Sequence, residues 1–194
     1  EDGIRDLVRS RGLGMCIRDR DNTLWQLSDS LHLELTKIKR NFPTPDQWHR
    51  YDIWEGHCSV DDFFATINKI HRNQDSDQYR PYPESRNFLS ALREHDFHII
   101  IASHRTPEMY RPTERWLAKH GLCYDELHLS QDKSVLFPKA DVVVDDSPLN
   151  LQKAAESGVP ATGLLFPWNS AYSGNGFKLF QNLNEVLEYI LMSS

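Results

Sequence analysis

Asp19-Arg20-Asp21-Asn22-Thr23-Leu24-Trp25 sets two carboxylates one residue apart, ahead of turn-forming residues. A second acidic pair, Asp145-Asp146, follows the apolar run "DVVV", while Ser103 and Lys133 stand just past two other short apolar segments. Carboxylates crowded together raise each other's pKa and are costly unless a cation intervenes. A hard divalent ion with oxygen ligands resolves that conflict, and Mg²⁺ commonly takes one or two carboxylates plus waters and a substrate phosphate. A hydroxyl and an ammonium nearby are groups suited to holding phosphoryl oxygens. Each feature also has a plainer reading. Asp19 and Asp21 make an ordinary solvated turn, Ser103 caps a helix, Lys133 is a surface lysine, and Asp145-Asp146 leads into the helix behind Ser147.

What these residues share is position. Short apolar or β-branched runs at 97–103 ("FHIIIAS"), 126–130 ("ELHLS"), 141–147 ("DVVVDDS") and 159–166 ("VPATGLLF") read as strands, and 13–18 ("LGMCIR") reads as a weaker one. Helical patterns over 83–95, 107–120, 148–157 and 184–192 fall between and after them. Strands alternating with helices predict right-handed βαβ units, hence an α/β, Rossmann-like parallel sheet sandwiched by helices. Ligands bind beyond the carboxyl ends of such strands. Asp19, Asp21, Ser103, Lys133, Asp145 and Asp146 all lie at those ends, so the topology predicts that they converge on one rim.

The four segments taken in order resemble the haloacid dehalogenase (HAD) superfamily of phosphohydrolases. "DRDNTL" is similar to its first motif, Asp-x-Asp-x-Thr. "IIIAS" resembles the second, Lys133 in "QDKS" the third, and "VVVDDS" the acidic fourth. The resemblance implies a Mg²⁺-dependent phosphatase working through an aspartyl-phosphate. By it, Asp19 is nucleophile and metal ligand. Asp21 is general acid and base and gives its carbonyl to the metal, Asp146 completes the ligands, and Asp145 orients it or a bound water. Ser103 and Lys133 hold the phosphoryl group, with His104 and Arg105 as further contacts. Asn22 and Trp25 are expected to line the entrance.

The superfamily often inserts a substrate-selecting cap after the first strand. Residues 26–82 fit that place, with helical patterns over 28–40 and 59–72 and no clear strand, so a small all-helical cap is expected there, with the core domain at 19–25 and 83–194. This segment carries Phe42, Trp48, Tyr51, Trp54, Phe63 and Phe64, and Trp48 and Trp54 in particular offer a stacking surface for a base. The C-terminal half, with its Asp-Lys, its Asp-Asp before a helix and its late Pro167-Trp168-Asn169, resembles the 5′(3′)-deoxyribonucleotidase family and related nucleotidases. That implies nucleoside 5′-monophosphates as substrates. Two alternatives stay open: another small phosphate ester on the same chemistry, and a catalytically inactive binding domain on the same fold.

Bulk properties bound the rest. A formal charge of −6 over 194 residues gives no general attraction for nucleic acid polymers or anionic membranes, so a small phosphate ester is the expected partner. No apolar run approaches a membrane span. Three cysteines without a CxxC pair point to a reducing, cytoplasmic setting. Residues 1–18, rich in Arg and Gly and aperiodic, read as a non-native or disordered leader carrying the weak first strand.

Overall fold

The structure, a computed structural model, describes residues 14–130 and 132–193; the expectation for residues 1–13 lies outside them. Six strands form one wholly parallel sheet: β1 (Met15–Arg18), β2 (His98–Ser103), β3 (Glu126–Leu129), β4 (Val142–Val144), β5 (Ala161–Leu164) and β6 (Lys178–Phe180). Their order across the sheet is β3-β2-β1-β4-β5-β6. The weak strand of the sequence is therefore central, with Cys16 in register with Ile99 on one side and Val142 on the other. The chain winds outward from β1 in both directions, and the switch between β1 and β4 opens the crevice that such sheets use for ligands.

Two-sided burial explains why the strands read as continuous apolar runs rather than alternating ones. Ile99 and Ile101 join Val142, Val144, Leu89, Trp116, Val186 and Ile190 in one core. The residues between them, Ile100, Ala102 and Val143, join Phe137, Leu151, Ala154 and Ala161 in a second core on the opposite face. The flanking helices are α3 (Ser85–Glu94), α4 (Tyr110–Lys119), α5 (Pro148–Glu156) and α6 (Leu183–Ser193), with Pro148 at the first position of α5. The sheet and its helices match the expected α/β architecture. The helical pattern at 107–120 resolves into a 3₁₀ turn, Pro107–Met109, running into α4. Nothing in the sequence pattern marks β6, a three-residue edge strand behind a Gly-rich loop.

Residues 26–82 contain α1 (Leu27–Ile38), a 3₁₀ turn at Pro45–Gln47 and α2 (Val60–Arg72). Ser59 caps α2 by accepting from the Asp62 amide, and Thr44 forms a capping box with Gln47. Much of 39–59 is irregular rather than helical, held together by its aromatic side chains. The segment following α2 is fastened to α4: the Trp116 indole donates to the Tyr79 carbonyl at 2.7 Å, Arg115 meets Asp75 at 2.7 Å and Lys119 meets Asp77 at 2.6 Å. Among the described residues no helix is long and apolar enough to cross a membrane.

Candidate active site

The rim at the β1–β4 switch is built from two short turns. Asp19 continues β1 by donating its amide to the Val144 carbonyl at 2.9 Å, and the next residues curl over, Leu24 N–H reaching the Arg20 carbonyl. Asn22 adopts φ of 51°, a left-handed conformation that Asn tolerates better than most residues. Its side chain bridges both turns, accepting from Ser28 N at the start of α1 and donating to Asp146 Oδ2 at 3.1 Å. Asp145 leaves β4 with its amide bonded to the Thr162 carbonyl of β5.

Oxygens of Asp19, Asp145 and Asp146, all buried, lie within 4.8 Å of one another. Lys133 reaches into this group, its Nζ 2.7 Å from Asp19 Oδ2 and 2.7 Å from Asp145 Oδ2. One ammonium does not neutralise three carboxylates. Burial, then the repulsion of Asp145 and Asp21, pushes Asp19 up to about 7 even against the pull of Lys133. Burial and the charges of Asp145 and Asp19 likewise hold Asp146 well above the ordinary carboxylate range. Burial alone would lower the Lys133 ammonium, yet Asp145 and Asp19 outweigh it and hold the group above its usual value. The three acids are not equally free. Asp145 accepts from Lys133, Asn150 and the Ser147 amide, whereas Asp146 accepts from Asn22 alone among the described residues. A compact set of hard oxygen donors with uncompensated negative charge suits a hard divalent cation.

Asp21 heads a second cluster, directed away from the first. Its Oδ1 meets Arg105 Nη2 at 2.5 Å and the Trp25 indole N–H at 2.8 Å. Its Oδ2 accepts a long bond, 3.4 Å, from Ser103 Oγ. His71 Nε2 from α2 stands 3.3 Å from the same oxygen, without the alignment of a full hydrogen bond. Burial would raise the Asp21 carboxyl, but Arg105 and then His71 hold it well below its usual range. Arg105 is itself buried and also donates to Ser103, Gln74 and Thr113. Behind it lies the buried Arg20, which donates to Thr113 and has its guanidinium carbon 4.3 Å from the Trp116 ring centroid.

Both clusters open on a cavity of about 490 Å³. Asp19, Asp21, Asn22 and Asp146 form its floor, and His104 and Arg105 stand at its side. Trp48, Trp54, Phe63 and Phe64 come from the segment between β1 and β2. The expected residues Asp19, Asp21, Ser103, Lys133, Asp145 and Asp146 are thus brought together, although Arg105 turns inward to Asp21. His104 is exposed and lines the cavity. Trp48 and Trp54 do line it, Trp48 donating to the Pro43 carbonyl and Trp54 packing 4.8 Å from Phe63.

Trp25 does not stand at the entrance. It is 1 % exposed, packed on Tyr79 and Trp116, because its indole N–H turns back to Asp21 and its ring completes the core under the turn.

Several participants have no assigned role in the sequence reading. His71 and Gln74 sit at and beyond the end of a helix with nothing local to mark them. Tyr51 keeps 40 % of its surface exposed while its hydroxyl reaches in to Ser147; burial of that hydroxyl and the charges of Asp146, Asp145 and Asp19 hold it well above its usual value. Trp168 lines the cavity and stacks flat on Phe166, 4.4 Å between centroids. Asn169 next to it is fully buried, donating to the carbonyls of Asp146 (3.1 Å) and Leu164 (2.9 Å) and accepting from Phe166 N (2.8 Å). The Pro-Trp-Asn string was the available signal for these two.

Residues 47–192 match the family model described as 5′ nucleotidase, deoxy (Pyrimidine), cytosolic type C protein. Solved structures share the fold at low sequence identity. A predicted phosphoglycolate phosphatase from Haemophilus somnus 129PT is 17 % identical, with a TM-score of 0.62 over 92 % of this chain and 98 % of its own. An HAD-hydrolase from Bacillus subtilis bound to magnesium is 14 % identical, TM-score 0.59, over 93 % of this chain and 100 % of its own. The D,D-heptose 1,7-bisphosphate phosphatase from B. bronchiseptica, complexed with magnesium and phosphate, is 16 % identical, TM-score 0.53, over 94 % and 100 %. No curated protein is matched by the chain.

Proposed function

Since this chain belongs to the 5′ nucleotidase, deoxy (Pyrimidine), cytosolic type C protein family, and so to the HAD phosphoric monoester hydrolases, we propose that it hydrolyses nucleoside 5′-monophosphates with Mg²⁺. The observation that carries this reading is the gathering of Asp19, Asp145 and Asp146 around Lys133, with Asp19 and Asp146 on the floor of a cavity walled by aromatic rings. The family match begins at residue 47, so the roles of Asp19 and Asp21 rest on where β1 delivers them.

In this reading Asp19, Asp146 and the Asp21 carbonyl would hold the ion, while Asp145, its oxygens already engaged, orients Lys133. Bound there, Mg²⁺ would offset the carboxylates' charge and polarise the phosphoryl group. An Asp19 carboxylate oxygen attacks phosphorus, forming a phosphorus–oxygen bond as the ester oxygen departs, and the resulting aspartyl-phosphate divides hydrolysis into two easier steps. Asp21 gives a proton to the departing oxygen and then takes one from the water that cleaves the acyl-phosphate. Lys133 and Ser103 hold phosphoryl oxygens as charge shifts onto them. Arg105 must relax its grip for Asp21 to carry a proton, which a phosphate's own demand for the guanidinium would favour. Residues 26–82 act as the cap, and Trp48, Trp54 and Trp168 give the base its surface.

The test is inorganic phosphate release from a panel of nucleoside monophosphates, sugar phosphates and other small esters, with Mg²⁺ and with EDTA. Metal-dependent turnover led by the nucleotides is the expected result; turnover confined to non-nucleotide esters would overturn the substrate assignment.

A further inference from the structure

The wall that α2 turns to the cavity has a graded character. Phe64, Asn68 and His71 recur at helical spacing along it, with Ile67 between them. At one end, His71 stands 3.3 Å from Asp21. At the other, Phe64 packs against Trp54, 5.7 Å between centroids. With a rise of 1.5 Å per residue, Asn68 lies about 4.5 Å along the axis from His71 and about 6 Å from Phe64. Asn68 is half-buried, and its side-chain carboxamide makes no hydrogen bond among the described residues. Leu31, Ile53 and Ile67, which also line the cavity, offer no polar side-chain atom.

Building on the nucleotidase reading, we infer that Asn68 is a specificity-determining residue that hydrogen-bonds the sugar 3′-hydroxyl, the one a deoxynucleotide retains. A nucleoside 5′-monophosphate presents its ester oxygen, sugar and base in that order. With the ester oxygen at Asp21 and the base among Trp54, Phe64 and their neighbours, the sugar falls level with Asn68. A carboxamide both donates and accepts, which matches a hydroxyl's own dual capacity. With Leu31, Ile53 and Ile67 offering no partner, an analogue without the hydroxyl would leave the amide unpaired. That is the arrangement by which sites discriminate for a substrate hydroxyl.

The experiment compares kcat/KM for the 2′-deoxy and 2′,3′-dideoxy forms of one nucleoside 5′-monophosphate, in the unsubstituted protein and in Asn68→Leu and Asn68→Ala. Loss of the 3′-hydroxyl is expected to cost the unsubstituted protein about tenfold and either variant about threefold or less. A merely structural role would slow both substrates alike and leave their ratio unchanged. Equal ratios in all three proteins, or a ratio near one in the unsubstituted protein, overturn the assignment to Asn68 and leave the nucleotidase reading standing. Absence of turnover on every nucleoside monophosphate by the unsubstituted protein overturns both.

Discussion

Lys133 Nζ stands 2.7 Å from Asp19 Oδ2, joining residues 114 positions apart in the chain through a contact that solvent hardly reaches. The same nitrogen lies 2.7 Å from Asp145, so a single ammonium holds together the ends of β1 and β4. Removing one partner of a buried ion pair exposes the other to the full penalty of burial.

Lys133→Met should therefore destabilise the fold by about 3–5 kcal/mol, read as a lowered urea midpoint. Added Mg²⁺ should recover part of that loss, because a cation bound at the site would replace the missing charge and favours the folded state by mass action. A midpoint unchanged by the substitution would show that Lys133 does not hold the acidic group together.

Asp19→Asn keeps shape and removes the nucleophilic charge. Phosphate release should fall by roughly 10⁴-fold or more while far-ultraviolet circular dichroism stays native. Retention of turnover within tenfold would remove Asp19 from the chemistry.

Asn169 satisfies three backbone groups at once, between Leu164, Phe166 and Asp146. Asn169→Ala leaves them unpaired, and the expected cost is about 2–4 kcal/mol in thermal or urea unfolding. Because one of those groups belongs to Asp146, Mg²⁺ affinity measured by calorimetry should weaken in the same variant.

Acid should loosen the ties of α1 to α2 and of the segment behind α2 to α4. Hydrogen bonds from Lys37 and Lys69 hold Glu34 below its ordinary range, and bonds from Arg115 and Lys119 do the same for Asp75 and Asp77. A carboxyl depressed in the folded state stabilises above its unfolded value and loses that contribution as pH falls through the folded one. Melting temperature should accordingly decline as pH drops below about 4, and Asp75→Asn with Asp77→Asn should flatten that decline. The pairs are solvent-exposed, so the change will be small and will shrink further in salt.

The α/β architecture was legible because two-sided burial leaves unbroken Val, Ile and Ala runs at 98–103 and 142–144, and because parallel strands deliver their following residues to one edge. That is why Asp19, Ser103, Lys133 and Asp146 were identifiable from position alone. β6 was not legible, since three residues at a sheet edge carry no periodicity. Neither were His71 and Gln74, whose meeting with Asp21 and Arg105 depends on how α2 docks, a long-range fact with no local trace. Trp25 misled for a related reason. Adjacency to Asp21 is compatible with facing a ligand or facing the core, and the indole's hydrogen bond selects the core.

Gly163 lies in β5, where a Cβ would run into the carbonyl oxygen of Asp145. The spacing between the strand that carries the acidic pair and the strand that leads to Trp168 is thus set by a missing methyl group. Drift to alanine there would push the two strands apart and, with them, the floor and one wall of the cavity. Among descendants of this gene, glycine at 163 should persist even where the surrounding apolar residues interchange freely.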